Sequence, residues 1–156
     1  MKPTHAALAA CLLSAAACTP IGVHERNIPL PGHAWEARLQ PELTFAVTDT
    51  AAVYDIFLVI RHTDAYRFNN IWVDIASRSP GDTAETRQRF DLPLADARGW
   101  TGSGIDDIYE HRIALYREPV RFRRPGTYRV RLAHLMREDP LRHVLSVGIR
   151  VEKPKP

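Results

Sequence analysis

The sequence predicts an all-β fold, an antiparallel β-sandwich of about seven to eight short strands. Three observations lead there. Apolar residues recur with a period of two in several short runs, turn clusters separate those runs, and no window carries an apolar stripe at helical spacing. Successive strand side chains point to opposite faces, so each run offers one buried row. With no helices to cover a sheet, two antiparallel sheets must cover each other. A closed barrel is the alternative for the same strands.

In chain order, Phe45 and Val47 alternate with Thr44, Ala46 and Thr48, and Tyr54, Ile56, Leu58 and Ile60 alternate with Asp55, Phe57, Val59 and Arg61. Ile71, Val73 and Ile75 continue the pattern, followed by Tyr128, Val130 and Leu132, and then by Leu145, Val147, Ile149 and Val151. Ser79-Pro80-Gly81-Asp82 and Pro125-Gly126 are turn clusters, and Gly99 to Gly104 reads as a longer glycine-rich loop. The helical candidate is a short turn around Leu135 to Leu141, cut off by Pro140. This places the sandwich over 42–153, with a tail at 154–156.

Before the sandwich, residues 1–17 have the secretory pattern: Lys2, an apolar run from Ala6 to Leu13, then Ser14, Ala15, Ala16 and Ala17 ahead of Cys18. The apolar run is far shorter than the roughly 20 residues of a spanning helix. A cysteine directly after three alanines reads as a lipoprotein signal, with Cys18 the lipidated residue. Leu8-Ala9-Ala10-Cys11 is a second local match, but Cys11 would leave too short a leader, and a secreted form without lipid is the remaining alternative. A thioether lipid with additional acyl chains supplies the more than one chain that stable anchoring needs. Residues 18–41 carry Pro20, Pro29, Pro31 and Pro41 with Gly22 and Gly32, a composition that suits a flexible tether, with Trp35 near its end as a first docking point.

The 156 residues suffice for one core without disulfides, and both cysteines, Cys11 and Cys18, lie in the first eighteen residues, so the sandwich has no thiol for a disulfide, a metal or nucleophilic attack. The formal charge is +3 and comes mainly from arginine. That excess is too mild for a nucleic-acid binder. Arg112, Arg117, Arg121, Arg123, Arg124, Arg129 and Arg131 stand close together, opposed locally only by Glu118. They read either as a patch for lipid headgroups, anionic glycan or an acidic partner, or as the solvent face of strands. Asp82, Asp96, Asp106, Asp107 and Glu110 lie in or beside loops but fit no EF-hand spacing, and nothing in the sequence sets two of them across a cleft. The histidines show no metal-binding spacing, and the glycines form no phosphate cradle. No catalytic residue, metal or cofactor is assigned. Trp72 reads as a core residue of a second face and Trp100 as the more exposed ring, which could pin its loop or stack on a sugar.

Tyr66-Arg67-Phe68-Asn69-Asn70-Ile71-Trp72-Val73, Asp82-Thr83, Gly99-Trp100-Thr101-Gly102-Ser103-Gly104, Pro125-Gly126-Thr127-Tyr128, Met136-Arg137 with Leu141, and Val147-Gly148-Ile149-Arg150 occur in this order behind a lipoprotein leader. In that order they resemble the gliding motility-associated lipoprotein GldH family of the Bacteroidetes, from about Trp35 to Lys153. The departures are Ala15, where leucine is commoner, and the heavy use of arginine. The resemblance implies a non-enzymatic lipoprotein of the cell envelope, facing the periplasm, with protein partners in the gliding and type IX secretion machinery. Asn69, Asn70, Trp72, Trp100, Gly102 and Gly104 are the candidate contact residues, with Asn69 and Asn70 capping backbone at a strand entrance and Gly102 and Gly104 adopting backbone angles closed to other residues. They could equally hold the fold. A tethered carbohydrate-binding module using Trp100 is the alternative function.

Overall fold

The computed structural model describes residues 22–155. In chain order the strands are β1 (Val23–Pro29), β2 (Ala34–Trp35), β3 (Glu42–Val47), β4 (Asp55–Thr63), β5 (Asn70–Arg78), β6 (Thr86–Pro93), β7 (Ala95–Asp96), β8 (Gly99–Trp100), β9 (Ser103–Ile105), β10 (Ile108–Ala114), β11 (Gly126–His134), β12 (Leu141–Arg142) and β13 (Val144–Glu152). One sheet has the order β1-β13-β4-β10-β9 and the other β3-β11-β5-β6, while β12-β2 and β7-β8 form short ladders. Every pairing is antiparallel. The two layers face each other as the expected antiparallel β-sandwich, with nine strands in them among the described residues against about seven to eight expected.

The expected buried rows form the core. Leu58 and Ile60 of β4, Ile71 and Val73 of β5, Leu132 of β11 and Val147 of β13 are all fully buried. Each such side chain contributes about 1.5–3 kcal/mol when taken out of water. One row shifts at its start: the β13–β4 register slips between Val144 and Ser146, so Val144 is buried and Leu145 is half-buried. A bulge of this kind moves every preceding side chain to the opposite face. At the entrance to β11, the Tyr128 hydroxyl donates to the Arg124 carbonyl at 2.9 Å, tying the strand to the loop before it in the manner of a tyrosine corner.

The tether expected over 18–41 is corrected in its described part. Val23–Pro29 pairs residue by residue with β13, from Val23 opposite Glu152 to Pro29 opposite Ser146. Leu30 and Trp35 are buried, and the Trp35 indole N–H donates to the Leu39 carbonyl at 2.8 Å. Pro29 ends an edge strand and Pro31 opens a 3-10 turn (Pro31–His33), positions where a missing N–H costs little. Pro29 and Pro31 punctuate the sandwich instead of holding it at a distance. Cys18 and the leader lie outside the described residues.

No helix forms over Leu135 to Leu141; the chain turns there and enters β12. The Asp139 carboxylate accepts the Ala37 N–H at 2.8 Å, which pins this turn to the segment following β2.

The registers give the sandwich two distinct ends. Gly22 accepts the Lys153 N–H at 3.2 Å, so both ends of the described chain meet at one pole, beside loops 48–54, 79–85 and 115–125. The opposite pole carries loops 64–69, 93–107 and 135–143. These are called the near and far poles below.

Candidate functional site

At the far pole the inward row of β4 continues past Ile60 to His62, and the row of β10 runs through Tyr109, His111 and Ile113. Both imidazoles are buried, and their Nε2 atoms lie 2.9 Å apart. His62 Nδ1 lies 2.7 Å from the Thr63 carbonyl, which can only accept, so Nδ1 carries the proton. Nε2 of His62 then accepts from the Nε2–H of His111, which leaves the His62 ring neutral. Burial lowers both pKa values; for His111 the neighbouring His62 adds to the effect and brings it to about 4. For His62 the Thr63 hydrogen bond opposes burial without overcoming it.

Four aromatic rings wrap this pair. The Trp100 ring stands edge-on to His62 at 4.5 Å, Tyr66 lies 5.1 Å and Tyr109 5.9 Å from it, and Phe68 packs on Tyr66 at 5.8 Å. Trp100, expected to be the open ring, is therefore half-buried and packed against the core. Its short β7–β8 ladder folds the glycine-rich segment back over the pole instead of leaving a loop. Gly102 and Gly104 belong to the same cluster for a reason other than the one expected. Neither has a positive φ; a Cβ on Gly102 would stand 2.5 Å from the Glu110 carbonyl and 2.9 Å from the His111 ring, and one on Gly104 would stand 2.8 Å from the Tyr109 ring. They are glycines because the segment 102–104 lies tight against β10.

Asn69 and Asn70 adjoin this cluster through their backbones. The Asn69 carbonyl accepts from Leu94 and Ala95, at 2.8 and 3.1 Å, and the Asn70 carbonyl accepts the Tyr66 hydroxyl at 3.0 Å. The Asn70 side chain donates to Asp91 at 2.6 Å, so side-chain capping of the strand entrance is replaced by a bond across β5 and β6.

Trp72 reverses its expected place. It lies on the outer face of the four-stranded sheet, 42% exposed, next to Leu135, which is 43% exposed. The Leu135 N–H donates to the Trp72 carbonyl at 2.8 Å, and the Trp72 N–H points to the Met136 sulfur at 3.2 Å. The period of two was right, but Ile71, Val73 and Ile75 face the core and Trp72 faces out. A third histidine, His134, is buried against Trp35 at 5.4 Å and accepts the Met136 N–H at 3.3 Å. Burial lowers its pKa against the pull of Asp139.

The arginine stretch is dispersed by the fold. Arg112 approaches Glu110 at 3.4 Å and Glu25 at 3.6 Å, Arg124 pairs with Asp82 at 2.6 Å, Arg129 with Glu42 at 3.1 Å, and Arg131 with Glu85. Acids from other strands and from the 79–85 loop answer charges that look unopposed along the chain. Among the described residues, no three His, Cys, Asp or Glu side chains stand together as metal ligands. His62 and His111 were missed as a pair. The signal was present in the inward rows of Ile56-Leu58-Ile60-His62 and Tyr109-His111-Ile113, which place both imidazoles in the core.

These features define a class: a small antiparallel β-sandwich with a buried imidazole pair and an aromatic cluster under one loop-rich pole. The model of the GldH lipoprotein family matches residues 22–151, and the chain belongs to that family. A gliding motility lipoprotein GldH homolog of Christiangramia forsetii is 27% identical over 129 residues, covering 78% of this chain and 78% of that protein. The gliding motility lipoprotein GldH of Flavobacterium johnsoniae is 27% identical over 130 residues, covering 78% of this chain and 79% of its own. No solved structure matches.

Proposed function

We propose that this chain is a cell-envelope lipoprotein, anchored through Cys18, that supports gliding motility and the associated type IX secretion as a non-catalytic assembly component. Its far pole holds a protein partner. The observation that carries this reading is the exposed Trp72–Leu135 pair at the pole opposite Gly22. An anchored domain presents that pole away from its anchor, and aromatic residues are the commonest anchors of protein interfaces. Asn69 is exposed and adjoins this surface in sequence, and Asn70 bonds Asp91 across β5 and β6, while Trp100, Gly102 and Gly104 shape the same pole around His62, Tyr109 and His111.

Affinity capture of tagged wild-type and Trp72→Ala lipoprotein from envelope fractions, read by mass spectrometry, tests the reading. Partners enriched with wild type and lost with the variant, with loss of spreading and unchanged abundance, are the expected result. The same partners and the same spreading in the variant would remove Trp72 from the interface.

The carbohydrate-binding reading rests on the same exposed indole, since Trp35 is buried and Trp100 is packed. A Trp72-dependent rise in thermal midpoint with one defined polysaccharide, and no captured protein, would favour it.

A further inference from the structure

The inward rows change character towards the near pole. On β5, Ile71, Val73 and Ile75 give way to Ser77, and on β6, Leu92 and Phe90 give way to Gln88. Ser77 and Gln88 are both exposed although they point between the sheets. The space they open is a cavity of about 420 Å³, walled by Phe45, Ile75 and Val130 from the four-stranded sheet and by Ile56 and Ile149 from the other. That volume falls within the roughly 300–1,000 Å³ of small-molecule sites. The segment 115–125 closes one side: Leu115 and Phe122 pack against the core, and the Tyr116 hydroxyl bonds Gln88 across the opening.

Three arginines, Arg121, Arg123 and Arg124, line the cavity. Arg124 is held by Asp82 at 2.6 Å, and Arg121 donates to the Ala51 carbonyl at 2.6 Å. Arg123 makes no side-chain hydrogen bond or ion pair among the described residues. Three arginines face one aspartate, so the mouth is cationic while the walls are apolar. An apolar body with one anionic end satisfies both parts at once, and a guanidinium binds a carboxylate or phosphate through paired N–H donors.

We propose that this cavity binds a single-chain anionic amphiphile, its alkyl chain between the sheets and its carboxylate or phosphate on Arg123. The position suits a lipid source. Gly22 follows Cys18 by four peptide units, a covalent reach of at most about 14 Å, so an anchor on Cys18 would keep the mouth close to the headgroups. That placement rests on the proposed anchoring, whereas the cavity and its arginines do not.

The test uses the mature chain carrying Cys18→Ser, which makes it independent of lipidation. Dodecyl phosphate and dodecanoate, below their micelle concentrations, are titrated by calorimetry and by methyl NMR. Binding of about one probe per chain is expected, with shifts at the Ile56, Ile75 and Ile149 methyls and none at Ile60 or Ile71. Arg123→Glu, an exposed position, should weaken binding by about tenfold or more, and Ser77→Phe should block it with an unchanged thermal midpoint. Dodecyltrimethylammonium should not bind. Co-sedimentation with phosphatidylglycerol vesicles, but not phosphatidylcholine vesicles, marks a membrane headgroup as the source; monomer binding without co-sedimentation marks a free amphiphile. Absence of binding by the folded chain, equal binding by Arg123→Glu, or shifts spread over the whole core would overturn the proposal. The mass of native Cys18 decides the anchor separately.

Discussion

Gly102 is a glycine for want of room, and the consequence can be measured. A methyl there would press on the Glu110 carbonyl and the His111 ring. Gly102→Ala is expected to cost about 1–3 kcal/mol, the usual range for overpacking, read as a lower urea midpoint with an unchanged slope. The buried imidazoles set a pH dependence of definite sign. His62, His111 and His134 all have pKa values below the ordinary histidine value of 6.5, with burial as the leading cause. The folded state keeps them neutral while the unfolded chain takes up protons. Their contribution is therefore fully present above pH 6.5 and is lost as the pH falls towards about 4, the value for His111. The thermal midpoint should fall across that window, and His111→Gln should flatten the fall; an equally steep profile in the variant would place the effect elsewhere. Glu25 adds its own acid loss as the pH falls below its ordinary value of 4.5: burial raises its carboxyl, but the Arg150 and Asn27 hydrogen bonds and the charges of Arg112 and Arg150 outweigh that and hold it low.

Among the elements, β1 and the outer face of the five-stranded sheet hold the chain together in ways that local patterns conceal. Gly148 of β13 faces β1 so closely that a Cβ would stand 2.1 Å from both the Arg26 carbonyl and the Asn27 side chain. Gly148→Val is expected to detach β1, seen as lost amide-exchange protection over 23–29 with the other strands still protected. On the same face Arg61, Glu110, Arg112, Glu25, Arg150 and Glu152 form one alternating chain of ion pairs. Val59 points outward in this sheet yet is fully buried, and its register neighbours are Arg112 and Gly148. Exposed ion pairs contribute little, about 0–1 kcal/mol, whereas arginine stems can cover apolar surface. Arg112→Ala should therefore destabilise by about 1 kcal/mol, and the loss should persist at about 1 M salt, where charge is screened. Full rescue by salt would assign the effect to the ion pairs instead.

For the molecule as a whole, the two poles divide the work proposed for it. With Gly22 beside Lys153 at one pole and Trp72 beside Leu135 at the other, anchoring and contact do not compete for surface. Replacing Cys18 by Ser is expected to move the protein from the membrane pellet to the soluble fraction without changing its thermal midpoint. Retention in the pellet would mean that something other than the thioether holds it there.

The strands were legible because side-chain direction along an extended chain is a local property. Period two placed Leu58, Ile60, Ile71, Val73, Leu132 and Val147 in the core with no knowledge of their partners. The family motifs were legible for a similar reason, since their order along the chain needs no coordinates. Local pattern could not tell whether the second row of a strand meets another layer or solvent, or where a bulge shifts the alternation. Trp72 among isoleucine and valine, and Leu145 beside a bulge, were decided by pairing and sheet packing. Nor could it show that Val23–Pro29, rich in charge and ended by proline, finds its hydrogen bonds on β13, more than a hundred residues away. Long-range register brought His62 to His111, gave Arg112, Arg129 and Arg131 their acids, and left Arg123 at the mouth of a cavity. The sequence alone determined alternation, turns and kinship; partner choice between distant strands, and with it the character of each pole, was set by tertiary structure.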